Sequence, residues 1–178
     1  NNKLYIGGDF SNAGTFTHTN NAAAQVIFNA TSGTKNIDPG TGIAFRTVTI
    51  DAPGVIYDVQ NNFSINNDFD FTINQGTVNL NGQTLTVNTA NTKIVINNTG
   101  EFNVGAGSTV SFTNNDQSIR NQGGVLKLVG TDVSEARLTG SNRYYITQTS
   151  GVFHAKYYRC EGIGALANSG ITISGGSI

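Results

Sequence analysis

The chain has a single cysteine, Cys160, and neither methionine nor tryptophan. One cysteine excludes an intrachain disulfide and a cysteine-based metal cluster, so packing and hydrogen bonds have to hold the fold. Charge is equally scarce. Only 12% of the residues are charged, about half the usual share for a soluble protein, and the formal net charge is −1 with an isoelectric point near 6.1. That balance gives no electrostatic reason to expect a nucleic acid or an anionic membrane as partner. No apolar run approaches the roughly eighteen residues of a membrane-spanning helix. The stretch from Asn1 to Phe10 lacks the basic and apolar regions of a secretory signal, so an exported parent is expected to carry its signal outside this segment.

Solubility in such a chain must come from uncharged polar groups, and these are abundant: 24 Asn, 22 Thr and 22 Gly. All three rank low in helix propensity, Thr favours strands, and Asn and Gly favour turns. Disorder is excluded by the short, regular intervals at which Val, Ile, Leu, Phe and Tyr recur. The length of 178 residues is enough for a sizeable core and is read as one segment, residues 1–178.

The apolar residues fall in alternating triplets: Phe63-x-Ile65, Phe71-x-Ile73, Val78-x-Leu80, Leu85-x-Val87, Ile94-x-Ile96, Phe102-x-Val104 and Val110-x-Phe112. Period-two alternation means strands with one buried face. The triplets start 7 to 9 residues apart, which leaves only short turns and no room for crossover helices. A longer period is superposed. Gly followed by a strand recurs at Gly54, Gly76, Gly100, Gly124, Gly151 and Gly170, at intervals of 22, 24, 24, 27 and 19, with weaker instances at Gly14 and Gly33. A repeat of roughly 23 residues holding three short strands matches one coil of a three-sided β-helix. The expected fold is therefore all-β, a three-sided parallel β-helix of seven to eight coils. In it, inward Phe, Ile, Val and Leu stack in columns. Turn pairs such as Asn66-Asn67, Asn97-Asn98 and Asn114-Asn115 set their amides against the neighbouring coil.

The stretch Phe71-Thr-Ile-Asn-Gln-Gly-Thr-Val-Asn-Leu-Asn-Gly-Gln-Thr-Leu-Thr-Val87 resembles the repeat of giant bacterial surface and autotransporter-like proteins, and Val152 to Leu166 resembles another recurring coil of the same proteins. The resemblance extends over Phe45 to Ile178. It implies a right-handed β-helix and an extracellular, cell-surface location, and it says little of function, because a fold does not fix a site.

Few residues carry candidate chemistry. Asp68 and Asp70 flank Phe69 and, with Glu101 one coil on, are the carboxylates that a Ca²⁺ site or a glycosidase would need; a solvated strand face is the expected role. His18 and His154 stand in no metal-ligand spacing. Ser134, followed by Glu135, lies near no triad-like His. Cys160 is expected to be a small packing residue. Thr-x-Thr occurs at Thr15, Thr47, Thr84 and Thr147, at spacings of 32, 37 and 63 residues, which put no two pairs on the same face of successive coils. The strongest deviation is the basic and aromatic cluster Arg143-Tyr144-Tyr145 and His154-Ala-Lys156-Tyr157-Tyr158-Arg159. Exposed Tyr faces can stack on sugar rings while Arg and Lys bond hydroxyls or carboxylates, which makes the cluster a candidate glycan or partner-protein site. Arg143, Tyr144, Lys156, Tyr158 and Arg159 are the ligand-binding candidates, with alternation turning about half of the cluster inward.

These features predict a non-catalytic structural or adhesive module with no catalytic, metal or cofactor site, whose alternative is a polysaccharide-binding or polysaccharide-degrading β-helix. The expected partners are neighbouring coils of the same protein or copies stacked end to end, together with surface glycans or host proteins; nucleic acid and membrane insertion are not expected. Both Asn1 to Ile6 and Ile171 to Ile178 are strand-like and uncapped, which leads to the expectation of axial continuation.

Overall fold

A computed structural model describes residues 2–14, 16, 18, 24–40, 43–66, 69–163 and 170–177. They form β1 (Lys3–Ile6), β2 (Phe10–Ser11), β3 (Gln25–Phe28), β4 (Thr34–Asp38), β5 (Ala44–Phe45), β6 (Thr47–Val59), β7 (Phe63–Ile65), β8 (Phe71–Asn79), β9 (Thr84–Val87), β10 (Lys93–Gly105), β11 (Thr109–Phe112), β12 (Gln117–Val129), β13 (Ala136–Gly140), β14 (Tyr144–Lys156), β15 (Tyr158–Cys160) and β16 (Ile171–Ile173). The strand pairings are parallel. Each strand pairs with its equivalent one coil away: Leu4 with Val26, Val26 with Val48, Val48 with Phe71, Phe71 with Ile94, Ile94 with Ile119 and Ile119 with Ile146. The chain is an all-β parallel solenoid.

Each long strand serves two faces. In β6 the buried positions are Val48, Ile50 and Ala52 before Gly54, then Val55, Tyr57 and Val59 after it. The parity of burial switches at the glycine, so one residue is used to turn a corner, and the register shifts there. The short strands β5, β7, β9, β11, β13 and β15 make the third face. Among the described residues the first face carries eight rungs from β1 to β16 and the third carries six, so about six turns are closed on all three sides. Dividing the length by the period also counts the partial coils.

The corner glycines follow the repeat, with one correction. A Cβ on Gly76 would meet the carbonyl of Ala52, one on Gly100 that of Ile73, one on Gly124 that of Gly100 and one on Gly151 that of Gly124. The next member of this ladder is Gly176, over Gly151, and not Gly170, which precedes β16 on the first face. The interval of 19 residues is therefore out of phase.

Inward residues stack as the alternation predicts. On the second face Tyr57, Val78, Phe102, Leu126 and Phe153 form one column, and Phe71 meets Phe102 edge to face with centroids 6.1 Å apart. On the first face the column Phe28, Ile50, Ile73, Ile96 changes character at Asn121 and Gln148, both buried. Their amide nitrogens are used internally. Asn121 Nδ2 donates to Val152 O at 2.9 Å, and Gln148 Nε2 donates to Gly175 O and Ser177 O, each at 3.1 Å. Turn amides also bridge coils as expected: Asn88 donates to Asn66 at 2.7 Å, Asn97 to Asn74 at 3.1 Å, and Asn114 to the carbonyl of Asn88. A further ladder runs along the outside of the second face, with Asn79 donating to Asp58 at 2.8 Å and Asn103 to Asn79 at 2.6 Å.

Candidate functional site

The corner between the second and third faces is short in most coils, three residues between β10 and β11 and one between β14 and β15, but six (130–135) between β12 and β13. The longer loop closes on itself: Thr131 N–H donates to Ser134 O at 2.7 Å and Ser134 N–H to Thr131 O at 3.2 Å. Its base is tied to the next coil through Gly130 N–H to Lys156 O at 2.9 Å and Ala136 N–H to Tyr157 O at 3.1 Å. With both ends anchored the loop projects from the solenoid, and Val133 at its tip is 90% exposed. An open cavity of about 570 Å³ lies between the loop and the third face, lined by Thr109, Asp132, Ser134, Glu135, Arg137 and Arg159 among others.

The third face brings the cations to this cavity. Thr109, Arg137 and Arg159 occupy one outward column, on consecutive rungs of β11, β13 and β15, so the two guanidinium stems leave the sheet about 4.8 Å apart. Glu135 Oε2 lies 3.6 Å from Arg137 Nη2 and 4.0 Å from Arg159 Nη1. These distances are too long for hydrogen bonds; the carboxylate offsets the repulsion between the arginines without occupying their N–H groups. Arg159 Nε is also 2.9 Å from Glu161 Oε1. All of these side chains are about half exposed, so the ion pairs contribute only about 0–1 kcal/mol each to stability.

The candidate cluster read from the sequence is divided. Arg159 lines the cavity. Lys156 sits nearby with its ammonium 5.0 Å from the ring centroid of Tyr157, and Tyr158 is exposed on β15. Arg143 is at a different corner, between the third and first faces, where its Nε and Nη2 donate to the two carboxylate oxygens of Asp116 at 3.0 and 3.2 Å. Tyr144 is corrected outright: it is fully buried and stacks on Phe112 with centroids 4.4 Å apart and planes 18° from parallel. The physical reason is Gly140. That residue continues the column of Phe112, and where a side chain would stand the Tyr144 ring fills the space, its hydroxyl donating to Leu138 O at 3.2 Å.

The remaining candidates have structural surroundings. Asp70 accepts from Lys93 N–H at 3.0 Å and lies 3.6 Å from its ammonium, while Glu101 pairs with Lys127 at 2.8 Å; Asp68 lies outside the described residues. His154 points outward beside Lys127, and His18 is buried. Among the described residues no three His, Cys, Asp or Glu side chains converge as a metal-ligand set. Cys160 ends the apolar column Leu85, Val110, Leu138, and burial pushes its thiol pKa up, away from the thiolate that a nucleophile needs. The threonine arrangement differs from expectation. Thr84 and Thr86 stand directly in register with Thr109 and Ser111, and Ser64 and Thr139 extend the second of these columns. A search for Thr-x-Thr alone misses it because serine holds one of the four places. Asp132 and Arg137 were also missed; their signal in the sequence is the 27-residue interval from Gly124 to Gly151, which is where the extra loop is inserted.

Comparison of the chain with known protein families, with curated proteins and with solved structures finds no match.

Proposed function

We propose that this chain is a non-catalytic structural and adhesive module, a rigid rod within an extracellular or cell-surface protein. The observation that carries this is the single core running through the parallel rungs, in which about six turns are held by their neighbours on three faces. Such a stack resists bending because its side-chain columns and amide ladders share one axis. Its polar surface is built from Asn, Thr and Ser in place of charge, and the resemblance to surface-protein repeats supports the extracellular placement. The carboxylates offered by the sequence support a non-catalytic role, since Asp70 and Glu101 are each held against a lysine.

Two measurements on the isolated chain test this. Small-angle scattering is expected to give a particle with an axial length of about 35 Å, the seven spacings between eight first-face rungs at about 4.8 Å each. Incubation with pectin, alginate, xylan and chitin oligosaccharides is expected to release no products. Turnover that disappears on Asp70→Asn would replace the rod with an enzyme. The second reading, glycan binding, is favoured by one specific observation, the arginine-lined cavity beside the 130–135 loop.

A further inference from the structure

We propose that this cavity binds a uronic-acid residue of an acidic glycan, its carboxylate bridging Arg137 and Arg159 and its ring hydroxyls donating to Asp132 and Glu135. The inference deepens the adhesive reading and rests on it.

Register supplies the first argument. Parallel pairing places Arg137 and Arg159 on adjacent rungs of one outward column, and a planar carboxylate with two acceptor oxygens fits a pair of guanidinium groups spaced in this way. Glu135 lies beyond hydrogen-bonding distance of both arginines and Glu161 engages Arg159 at Nε, so the Nη donors of the pair remain for a ligand carboxylate.

Charge balance supplies the second. Arg137 and Arg159 stand among three carboxylates, Asp132 and Glu135 in the cavity lining and Glu161 beside Arg159, so the cavity carries no excess of cations. Dense polyanions such as nucleic acid or heparin need an excess of cations, whereas a sugar carrying one carboxylate and several hydroxyls needs donors and acceptors together. Thr109 and Ser134 add hydroxyls on two sides of the cavity.

Direction supplies the third. Two outward columns lead along the third face toward the arginines, one through Thr84 and Thr109 and the other through Ser64, Thr86, Ser111 and Thr139. Rungs about 4.8 Å apart set one pair of hydroxyls at Thr84 and Thr86 and a second at Thr109 and Ser111 in line with the arginines, for the rings that adjoin the one held in the cavity.

The test is calorimetric titration of the intact chain with hexamers of galacturonate and of mannuronate, with neutral xylohexaose, and with heparin. Both uronates are expected to bind, and xylohexaose at least tenfold more weakly. The tighter of the two uronate arms separates a plant-type from a bacterial-type source of the same carboxylate. Arg137→Gln with Arg159→Gln is expected to weaken uronate binding at least tenfold while melting like the parent. Arg143→Gln, which alters an arginine at another corner, is expected to leave binding unchanged. The proposal is overturned by no uronate binding at about 10 mM ligand, by xylohexaose binding as well as the uronates, by heparin binding more tightly than either, or by a folded double variant with parental affinity. Shortened products in the titration mixture would instead overturn the non-catalytic reading and leave uronate recognition standing.

Discussion

At the scale of single residues, burial and hydrogen bonding decide what a polar side chain does here. The His18 ring uses both nitrogens. Nδ1 accepts from Arg46 N–H at 3.1 Å, and Nε2 faces Ala24 O at 3.2 Å, which fixes the proton on Nε2. Burial pushes its pKa below the ordinary value; the Ala24 carbonyl acts in the opposite direction, and the charge of Arg46 lowers it further. Because the folded value lies below the unfolded value of about 6.5, stability is complete above that pH, where both states are neutral. As the pH falls the unfolded chain binds the proton first, so stability is lost progressively until the folded value is reached. The melting temperature is expected to fall between pH 7 and pH 5, and His18→Gln to flatten that slope. An equal slope in the variant would show that other groups set it. Tyr144 teaches the same lesson by a different route. Its sequence context, beside Arg143 and Tyr145, reads as a surface cluster, and only the absence of a side chain at Gly140 turns it into core.

Strands and corners were largely legible from the sequence because their signals are local. Period-two triplets give the inward positions, such as Phe71, Ile73, Val78 and Phe102, and glycine gives the corner between the first two faces. What was not legible depends on a residue one coil away. Gly170 resembles the corner glycines in its own neighbourhood, yet Gly176 is the one beneath the Gly151 carbonyl. Asn121 and Gln148 are polar, and only register places them in the inward column of Ile96; Arg137 joins Arg159 only through the pairing of β13 with β15. The corner makes a matched comparison within β10. A Cβ on Gly100 would collide with the backbone carbonyl and the side chain of Ile73, whereas one on Gly105 would meet open space. Neither glycine has a left-handed φ, so the two substitutions differ in space and not in backbone strain. Gly100→Ala is expected to cost about 1–3 kcal/mol, a typical cost of overpacking, and Gly105→Ala to change stability by about 0.5 kcal/mol or less. Urea denaturation of the two variants measures both, and equal midpoints would remove the close-packed corner from the account of the fold.

On the scale of the whole molecule, a parallel solenoid is held by contacts between neighbouring coils, so its stability is approximately a sum of coil terms and nearest-neighbour interfaces. A central coil has two such interfaces, and opening it breaks both. β8, β10 and β12 are in this position, each paired on both sides along most of its length. β1 and β16 pair on one side, and they leave Leu4, Tyr5, Ile171 and Ile173 exposed. Local opening free energies in proteins range from near zero up to the global value, and this topology orders them along the axis. Native-state hydrogen exchange is therefore expected to be slowest for the amides of β8, β10 and β12 and fastest for those of β1 and β16. The amide ladder adds an asymmetry. Gln148 fastens the carbonyls of Gly175 and Ser177 to the preceding coil, and Ser177 O also accepts from Phe153 N–H, so replacing Gln148 with Leu removes two hydrogen bonds between coils at a cost of about 0.5–1.5 kcal/mol each. In Gln148→Leu, exchange is expected to speed up in β14 and β16 and to stay unchanged in β6 and β8, because the perturbed interface lies several coils away. Uniform acceleration along the chain would mean that the solenoid opens as one cooperative unit, and the nearest-neighbour account of its stability would fail.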